Sequence, residues 1–346
     1  MSVSVIIRTK DEADRLRLVM TSLMRQSMDA EIVVVNDGSG DHTRAVIEEM
    51  SSSLPLVVMH HESARGRPAA SNAGARLASG QVLLFLDGDT LADPDFVRHH
   101  ATLHAAQSDL IGRGETCNLR CTRFLLDPEA LIPQPAEAAK IARLSADERA
   151  AMMVSRSQIL DNFAAISRRA ELGVYPGFGP RRLQELEFDA LRNHPECTVL
   201  WAAASGSNQS MARDAFLSVG GFNEALDLID HRELALRLCQ AGLRMVPVNG
   251  AKSYHLTHRS GWRDPLQDTA WERIFFTCHP IASVKLLAVF WASISVRSRM
   301  ADAERINSLI ELEAAARGDT GVDYDRVRAH LGLPDLRTSP SRDGAE

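Results

Sequence analysis

A run of five apolar residues that ends in two carboxylates most constrains the fold of this chain. Val82 to Leu86 form the run, and Asp87, Gly88 and Asp89 follow it directly. Such a run is typical of a buried parallel strand, and open α/β sheets bind ligands at the carboxyl ends of these strands. Neighbouring carboxylates repel each other, so the pattern predicts a divalent cation, Mn²⁺ or Mg²⁺, that joins them to substrate phosphates. A plain turn is the alternative, since Asp-Gly-Asp also suits a loop.

Strand-like and helix-like segments alternate through the first hundred residues. The predicted strands are residues 3–7, 32–35, 56–59 and 82–86, and the helices between them are predicted over 11–26, shortly after Thr43 and over 68–79. This order predicts an α/β fold with a mostly parallel sheet covered by helices. Polar residues follow three of the strands, at Arg8 and Thr9, at Asp37 and at Asp87. We expect them to meet in one crevice at the carboxyl ends of the strands.

The remaining sequence predicts a helical insertion and a return to α/β structure. Residues 134–173 are rich in Ala, Glu, Arg and Lys, and Ser145 with Glu148 predicts a capping box that opens a helix. A loop over 175–180 is predicted to close the insertion, which shapes an acceptor pocket or lid, or serves only as a helical ornament or oligomer contact. The predicted units are a nucleotide-binding half, 1–112; an insertion, 113–200; an acceptor half, 201–262; a helical region, 263–336; and a disordered tail, 337–346.

Composition excludes some partners and favours one compartment. A net charge of −6 and a pI near 6.1 argue against nucleic-acid binding. Five scattered cysteines, and charges that interrupt the apolar N-terminus, favour a soluble cytoplasmic protein without a signal peptide. The apolar segment 281–296 contains Lys285 and is too short to span a membrane. We expect it to form a buried helix, with peripheral contact to a membrane surface as the alternative.

Several motifs, in this order, resemble the nucleotide-diphospho-sugar glycosyltransferases of family 2, which have the GT-A fold. The resemblance covers about residues 2–112 and 200–262. It rests on the motifs at 3–12 (Val-Ser-Val-Ile-Ile-Arg-Thr-Lys-Asp-Glu), 34–39 (Val-Val-Asn-Asp-Gly-Ser), 66–74, 86–89 (Leu-Asp-Gly-Asp) and 219–224 (Val-Gly-Gly-Phe-Asn-Glu). It implies that this chain transfers a sugar from a nucleotide donor.

The resemblance implies roles for individual residues. Thr9 and Asp37 match positions that contact the base of the donor, Asp87 matches the carboxylate near the ribose, and Asp89 matches the carboxylate that holds the metal. His255 falls where related enzymes place a further metal ligand, and His258 is close enough in sequence to compete with it. The expected donor site as a whole is Arg8, Thr9, Asp37, Arg67, Asn72, Asp87 and Gly88.

Two departures from the family pattern affect the phosphate side and the base. The family has Ala-Arg-Asn where this chain has Ala70-Ser71-Asn72, so Arg65 or Arg67 is expected to supply the missing charge. The acidic motif that supplies the general base aligns with Asp230, His231 and Glu233. Either Asp230 or His231 is able to take the proton from the acceptor, and we favour Asp230 because it begins the helix. Glu233 alternatively forms a surface pair with Arg237.

The implied reaction is metal-dependent transfer from a nucleotide-diphosphate sugar, with a UDP-sugar favoured, to an acceptor nucleophile, and inversion at the anomeric carbon is expected. A retaining GT-A enzyme and a non-catalytic nucleotide-sugar-binding protein are the alternatives. The acceptor is a glycan, a lipid-linked molecule, a peptide or a small molecule. A nucleotidyltransferase is disfavoured because the segment after the first strand is not a Gly-rich basic loop.

Overall fold

Alternating strands and helices build the first part of the chain, as the sequence predicts. The computed structural model describes residues 1–172, 183–258, 263–295 and 300–336. The predicted loop over 175–180 and the predicted tail over 337–346 lie outside these residues. The first elements are β1 (Val3–Thr9), α1 (Ala13–Leu23), β2 (Glu31–Asp37), α2 (Thr43–Met50), β3 (Leu56–His61), α3 (Arg67–Leu77), β4 (Val82–Asp87), β5 (Thr90–Ala92) and α4 (Phe96–Ala106).

The next part of the chain adds strands to the sheet and a group of short helices. Its elements are β6 (Leu110–Asn118), β7 (Leu125–Asp127), β8 (Ile132–Pro133), α5 (Ala138–Ile141), α6 (Ala146–Met152), α7 (Arg156–Asp161), α8 (Phe163–Ser167), β9 (Glu171–Leu172) and α9 (Leu183–Asn193). The predicted capping box is present at the start of α6, where the Ser145 and Glu148 side chains each accept the other residue's backbone N–H. The insertion was predicted to begin at residue 113, but this residue lies within β6 of the main sheet. The helical insertion therefore begins only after Asn118.

The last part of the chain completes the sheet and ends in helices. Its elements are β10 (Gln209–Ala212), α10 (Arg213–Ser218), α11 (Asp230–Gln240), β11 (Arg244–His255), α12 (Ala270–Cys278), α13 (Ala282–Ile294), α14 (Leu309–Arg317) and α15 (Tyr324–His330). The helix that was expected to begin at Asp230 is α11.

The main sheet has the strand order β3-β2-β1-β4-β10-β6-β11-β5, and β9 pairs with β6. The pairs β1–β2, β1–β4, β2–β3 and β6–β11 are parallel, as predicted for most of the sheet. Strand β10 runs antiparallel to both β4 and β6. Buried apolar side chains of β1, β2 and β4 alternate between the two faces, and each face is covered by helices. The strand ends therefore remain the accessible edge for a ligand.

Strand register brings the polar residues together. Arg8 pairs with Asp87 across β1 and β4, and Thr9 pairs with Asn36 across β1 and β2. Farther along, the short strand β5 pairs antiparallel with β11, which sets His255 opposite Thr90. Residues from five separate strands thus meet at one edge of the sheet.

The apolar segment near residue 281 forms a buried helix. Side chains along both sides of α13 are buried, among them Leu287, Val289 and Phe290 at 0% exposure. The helix packs against α12, α14 and α15. The prediction of a buried helix is confirmed, because most apolar side chains of α13 are covered by protein. Among the described residues, no helix is long and apolar enough to cross a membrane.

Two buried histidines of α4 hold the centre of the sheet through a defined set of hydrogen bonds. The Nε2 atom of His100 lies 2.9 Å from Asn208 Oδ1, and its Nδ1 atom lies 2.7 Å from Ser210 Oγ. Because the amide oxygen only accepts, Nε2 carries the proton and the serine hydroxyl donates to Nδ1. His104 Nε2, 2.8 Å from the same hydroxyl, must then donate to it. Burial lowers the pKa of His100 to about 3 and that of His104 to about 4.

We predict that this cluster makes the fold sensitive to acid. Below pH 6.5 the unfolded chain binds protons at these histidines while the folded chain does not, so stability falls as the pH falls toward about 4. Each histidine contributes a slope of about 1.4 kcal/mol per pH unit. In His104→Gln, whose amide still donates to Ser210, the slope between pH 6.5 and 4.5 should be smaller by about that amount. Urea unfolding at several pH values measures it.

The matched control is His194→Gln, because the His194 side chain is 40% exposed. This control should leave the slope unchanged. An equal slope in wild-type protein and His104→Gln would contradict the prediction.

Candidate active site

Arg8 lies at the centre of the crevice and pairs with two carboxylates from distant parts of the chain. Its Nη2 is 2.9 Å from Asp87 Oδ1 at the end of β4, and its Nη1 is 3.4 Å from Asp230 Oδ2 at the start of α11. Burial alone would lower the pKa of Arg8, but Asp87 and Asp230 raise it above its ordinary value. The guanidinium is therefore a permanent cation that neutralises carboxylates which would otherwise repel each other.

A third carboxylate, Glu12, lies against the turn that joins β4 to β5. A Cβ on Gly88 would lie 2.4 Å from Glu12 Oε1 and 3.0 Å from Thr9 Oγ1, so only glycine fits between them. Burial raises the pKa of Glu12 well above its ordinary value, and the nearby charge of Asp89 raises it further. Gly88 thus allows the Thr9 and Glu12 side chains to approach the two aspartates closely.

Asp89 meets two histidines at the end of β11. Its Oδ2 is 3.3 Å from His255 Nε2 and 2.7 Å from His258 Nε2. The pairing of β5 with β11 accounts for this approach, because the N–H of Leu256 donates to the carbonyl of Asp89 at 2.8 Å. Burial would raise the pKa of Asp89, but the two imidazoles hold it well below its ordinary value.

These three side chains suit a divalent metal. One oxygen of Asp89 and one nitrogen of each histidine lie within 4.8 Å of one another, and they are the one such group among the described residues. Two imidazoles and one carboxylate form the donor set with which proteins commonly hold divalent transition metals, whereas Mg²⁺ prefers oxygen ligands. The sequence left open whether His255 or His258 lies next to Asp89. The structure brings both histidines to this aspartate.

Asp37 holds the loop that leads into α3. Its Oδ1 accepts the N–H of Arg65 at 2.9 Å, its Oδ2 accepts the N–H of Gly66 at 2.9 Å, and His61 Nδ1 lies 2.7 Å from Oδ1. Gly66 has a φ of +94°, which glycine adopts without strain. The loop ends at the exposed Arg67. Burial raises the pKa of Asp87, and the charge of Arg67 opposes that effect; the same charge helps to lower the pKa of Asp230. The start of α3 therefore brings a free-standing guanidinium to the crevice.

Two predicted site residues make contacts within the fold instead. Asn72 is buried; its amide donates to the carbonyl of Phe222 at 2.9 Å and accepts from the N–H of the same residue at 2.8 Å. Glu233 is 2% exposed and pairs with Arg237 at 2.7 Å and with His279 at 2.9 Å. The predicted Glu233–Arg237 pair is present, but it is buried rather than on the helix surface. Both side chains thus have their hydrogen-bonding groups occupied by protein.

Asp230 is the buried carboxylate closest to the centre of the crevice on the α11 side. Its side chain is 5% exposed and contacts both Arg8 and His231. Burial would raise the pKa of Asp230, but the hydrogen bond from His231 and the charge of Arg8 lower it to about 2. The preceding Ile229 has a φ of +70°, a strained conformation for a β-branched residue, and it turns the chain into the first residue of α11. Asp230 is therefore an ionised carboxylate at neutral pH.

Sequence reasoning missed some of the residues of the crevice. Glu12 belongs to the first motif, and the three charged residues after β1, Lys10 to Glu12, were the signal that could have identified it. Nothing in the sequence singles out Arg15, a buried residue of α1 that donates to the carbonyl of Leu256 at 3.2 Å and so supports the histidine segment.

Comparison with known proteins identifies relatives. Residues 4–164 match the sequence model of the family described as glycosyl transferase family 2. A validoxylamine A glucosyltransferase from Streptomyces hygroscopicus subsp. jinggangensis is 30% identical over 229 residues, which are 64% of this chain and 47% of that protein. The chain thus spans about half the length of this relative.

Two solved glycosyltransferase structures resemble the fold. TarS 1-349 from S. aureus in complex with UDP-GlcNAc has a TM-score of 0.54 at 15% identity, over 92% of this chain and 72% of that chain. The mannosyltransferase PcManGT from Pyrobaculum calidifontis, in complex with GDP-Man and Mn²⁺, has a TM-score of 0.51 at 15% identity, over 95% and 72%. At these identities the likeness shows the fold alone.

We predict that Arg8→Gln destabilises the protein as well as altering the crevice. In this variant both Asp230 and Asp87 lose their ion pair with Arg8. Asp230 is buried, whereas Asp87 is half-buried and keeps some contact with water. Removing one partner of a buried ion pair costs about 3–5 kcal/mol, and we expect about 3 because part of Asp87 remains in water. Urea unfolding at pH 7 measures the change. Arg156→Gln, which breaks an exposed pair with Glu129, is the control and should cost less than about 1 kcal/mol; an equally small loss in Arg8→Gln would contradict the assignment.

Proposed function

We propose that the chain is a glycosyltransferase of family 2 with the GT-A fold, and that it transfers a sugar, with a metal ion, from a nucleoside-diphosphate donor to an acceptor nucleophile. A UDP-sugar is the favoured donor, and inversion at the anomeric carbon is the expected outcome. The observation that carries this proposal is the convergence of Asp89, His255 and His258 beside Asp87 and Arg8 at the carboxyl edge of the sheet.

The donor is proposed to lie across the ends of β1, β2 and β4. The start of α3 and the exposed guanidinium of Arg67 suit a diphosphate, because helix N-termini and arginine forks both favour anions. Asp37 keeps this loop in place through its backbone contacts. We propose that Thr9 and Asp37 lie at the base, that Asp87 with the neighbouring Gly88 lies at the ribose, and that Asn72 supports the site from α3 rather than contacting the donor.

Asp89, His255 and His258 are proposed to hold the metal ion. The bound Mn²⁺ of PcManGT supports manganese for this chain, and the two imidazoles make Mg²⁺ the weaker candidate. A metal in this place supplies positive charge next to the diphosphate, which stabilises the leaving nucleotide.

Asp230 is proposed to be the general base. It is ionised at neutral pH, lies next to Arg8, and contacts the same cation as the donor-side Asp87. An oxygen nucleophile of the acceptor gives its proton to this carboxylate as it attacks the anomeric carbon. Glu233 is proposed to support α11 and not to take part in the reaction, since Arg237 and His279 occupy its carboxylate.

The insertion is proposed to contribute to the acceptor site. A cavity of about 430 Å³ lies between residues 120–124 and the helices α5 and α6, and it is lined by apolar side chains together with Arg120, Arg123 and Lys140. The strand end that leads to it touches the metal-side segment, since the N–H of Leu119 donates to the carbonyl of His255 at 2.9 Å. This position supports an acceptor that reaches the reaction centre from the side of the insertion.

We predict that UDP or GDP binds in a metal-dependent manner and that Asp89→Ala abolishes the dependence. Calorimetric titration of a panel of nucleoside diphosphates, with and without Mn²⁺, measures both. His258→Ala should weaken Mn²⁺-dependent binding at least tenfold if this histidine is a ligand. The matched control is His99→Ala, in α4 and outside the group of Asp89, His255 and His258. Unchanged affinity in Asp89→Ala would remove the metal assignment, and no binding to any diphosphate would favour a non-catalytic protein.

We predict that Asp230→Asn lowers kcat by about 10²–10⁴-fold, as expected for loss of a general base, while the Kd of the nucleotide changes little. Steady-state kinetics and calorimetry on the same preparation separate the two effects. An equal loss in donor affinity would instead assign Asp230 to donor binding. The anomeric configuration of the product, measured by NMR, distinguishes inversion from the retaining alternative.

A further inference from the structure

The imidazole of His231 lies between a carboxylate and a guanidinium that together fix its protonation. Its Nδ1 is 3.2 Å from Asp230 Oδ1, and its Nε2 is 2.7 Å from Arg232 Nη1. A guanidinium carries donors only, so Nε2 accepts a hydrogen bond and cannot carry a proton. The single N–H of the ring is therefore on Nδ1, and it donates to Asp230.

Arg232 is unable to turn away from this contact. Its Nε donates to the carbonyl of Ala202 at 2.7 Å, and its Nη2 donates to Glu187 Oε1 at 2.9 Å. The guanidinium also lies over the ring of Trp291, 5.0 Å from its centroid. Glu187 is 1% exposed and comes from α9, at the far end of the insertion. With the other nitrogens held in this way, the remaining Nη1 points at His231.

We propose that His231 is a neutral positioning residue, that the Arg232–Glu187 pair fixes its tautomer, and that the proton of the acceptor goes to Asp230 and not to His231. This inference rests on the proposed role of Asp230 as the base. In the reaction the acceptor O–H bond breaks and its proton moves to the Asp230 carboxylate. The acceptor oxygen forms the new bond to the anomeric carbon, and the bond to the diphosphate breaks with its electron pair on the leaving group.

The surroundings of His231 agree with a neutral ring. The charged groups that face it are Asp230 and Arg232 of α11 and Arg8 of β1, whose Nη2 flanks Gly206 together with His231 Nδ1. Burial lowers the pKa of His231 to about 4, and the two arginines lower it while Asp230 opposes them. A proton on Nε2 would point at an N–H of Arg232. The ring thus has one donor and one acceptor, and both are in use.

The tautomer is measured directly by NMR on protein labelled with ¹⁵N-histidine. Two-bond ¹H–¹⁵N correlation spectra from pH 5.5 to 8.5 report the protonated nitrogen of each of the 12 histidines, and His231→Asn identifies the signals of residue 231. We expect Nδ1 protonated, Nε2 unprotonated and no titration over this range. In Arg232→Met the midpoint should rise into this range and the second tautomer should become visible.

Two further variants keep the NMR test decisive. If Arg232→Met does not fold, Glu187→Gln takes its place. This variant keeps the shape of the Arg232 partner but removes its charge, so Arg232 is held less firmly and the second tautomer of His231 should become visible, while the midpoint stays below pH 5.5. Arg192→Met, on the exposed side of α9, is the matched control for removal of an arginine and should leave the signals of His231 unchanged.

Kinetics distinguish a positioning residue from a base. Asn in place of His231 is able to donate an N–H to Asp230 but has no nitrogen that takes a proton near neutral pH. We therefore expect His231→Asn to lower kcat by less than about tenfold and His231→Ala to lower it by about 100-fold, because Asp230 loses its orientation. The pH profile of kcat/KM in His231→Asn should match that of the wild type between pH 5.5 and 8.5.

Two outcomes overturn the inference. One is a wild-type His231 that titrates between pH 6 and 7.5, and the other is a His231→Asn variant as inactive as His231→Ala. The NMR measurement needs no substrate, so it tests the tautomer even if the protein transfers no sugar. Absence of transfer with an intact Nδ1–H tautomer would reject the proposed function and leave the positioning geometry standing.

Discussion

The crevice depends on one cation, Arg8, shared by two carboxylates that lie far apart in the chain. Asp87 ends a central strand, and Asp230 begins a helix more than a hundred residues later. Each carboxylate would be costly to bury alone, and the two would repel each other if they met without a counterion. Arg8 comes from β1, which lies next to β4 in the sheet. The first half of the domain therefore supplies the positive charge that pairs with Asp230 of the second half.

This pairing is one end of a longer series of charged and polar groups in contact. From Arg8 the contacts continue through Asp230, the neutral His231 and Arg232 to Glu187. The last residue belongs to α9, at the end of the segment that the sequence predicted to be an independent helical insertion. α9 contributes Leu183, Phe188 and Leu191 to the main core, so this part of the predicted insertion is a structural part of the site.

The sequence was sufficient for the fold and for most of the crevice because those features depend on local patterns. Apolar runs predicted the strands of the first half, and the helices between them predicted a parallel order. Parallel strands bring their carboxyl ends to one edge of the sheet, so the site followed from the same pattern. The choice between His255 and His258 could not be made in this way. It depends on the pairing of β5 with β11 and on the turn after His255, and both histidines reach Asp89. Glu187 was beyond prediction for a related reason, since only tertiary contact brings it to Arg232.

The choice between Asp230 and His231 illustrates why residue type alone does not assign a general base. By its ordinary pKa, histidine is the better proton acceptor near neutral pH, and a carboxylate with a pKa of about 2 is a weak one. The contacts reverse this order of preference, because the basic nitrogen of His231 already accepts a hydrogen bond from a fixed arginine. The low basicity of Asp230 in this site results from its contacts with His231 and Arg8, which lower its pKa. Because Arg8 and His231 lower the pKa of Asp230, loss of either contact would raise the basicity of this carboxylate.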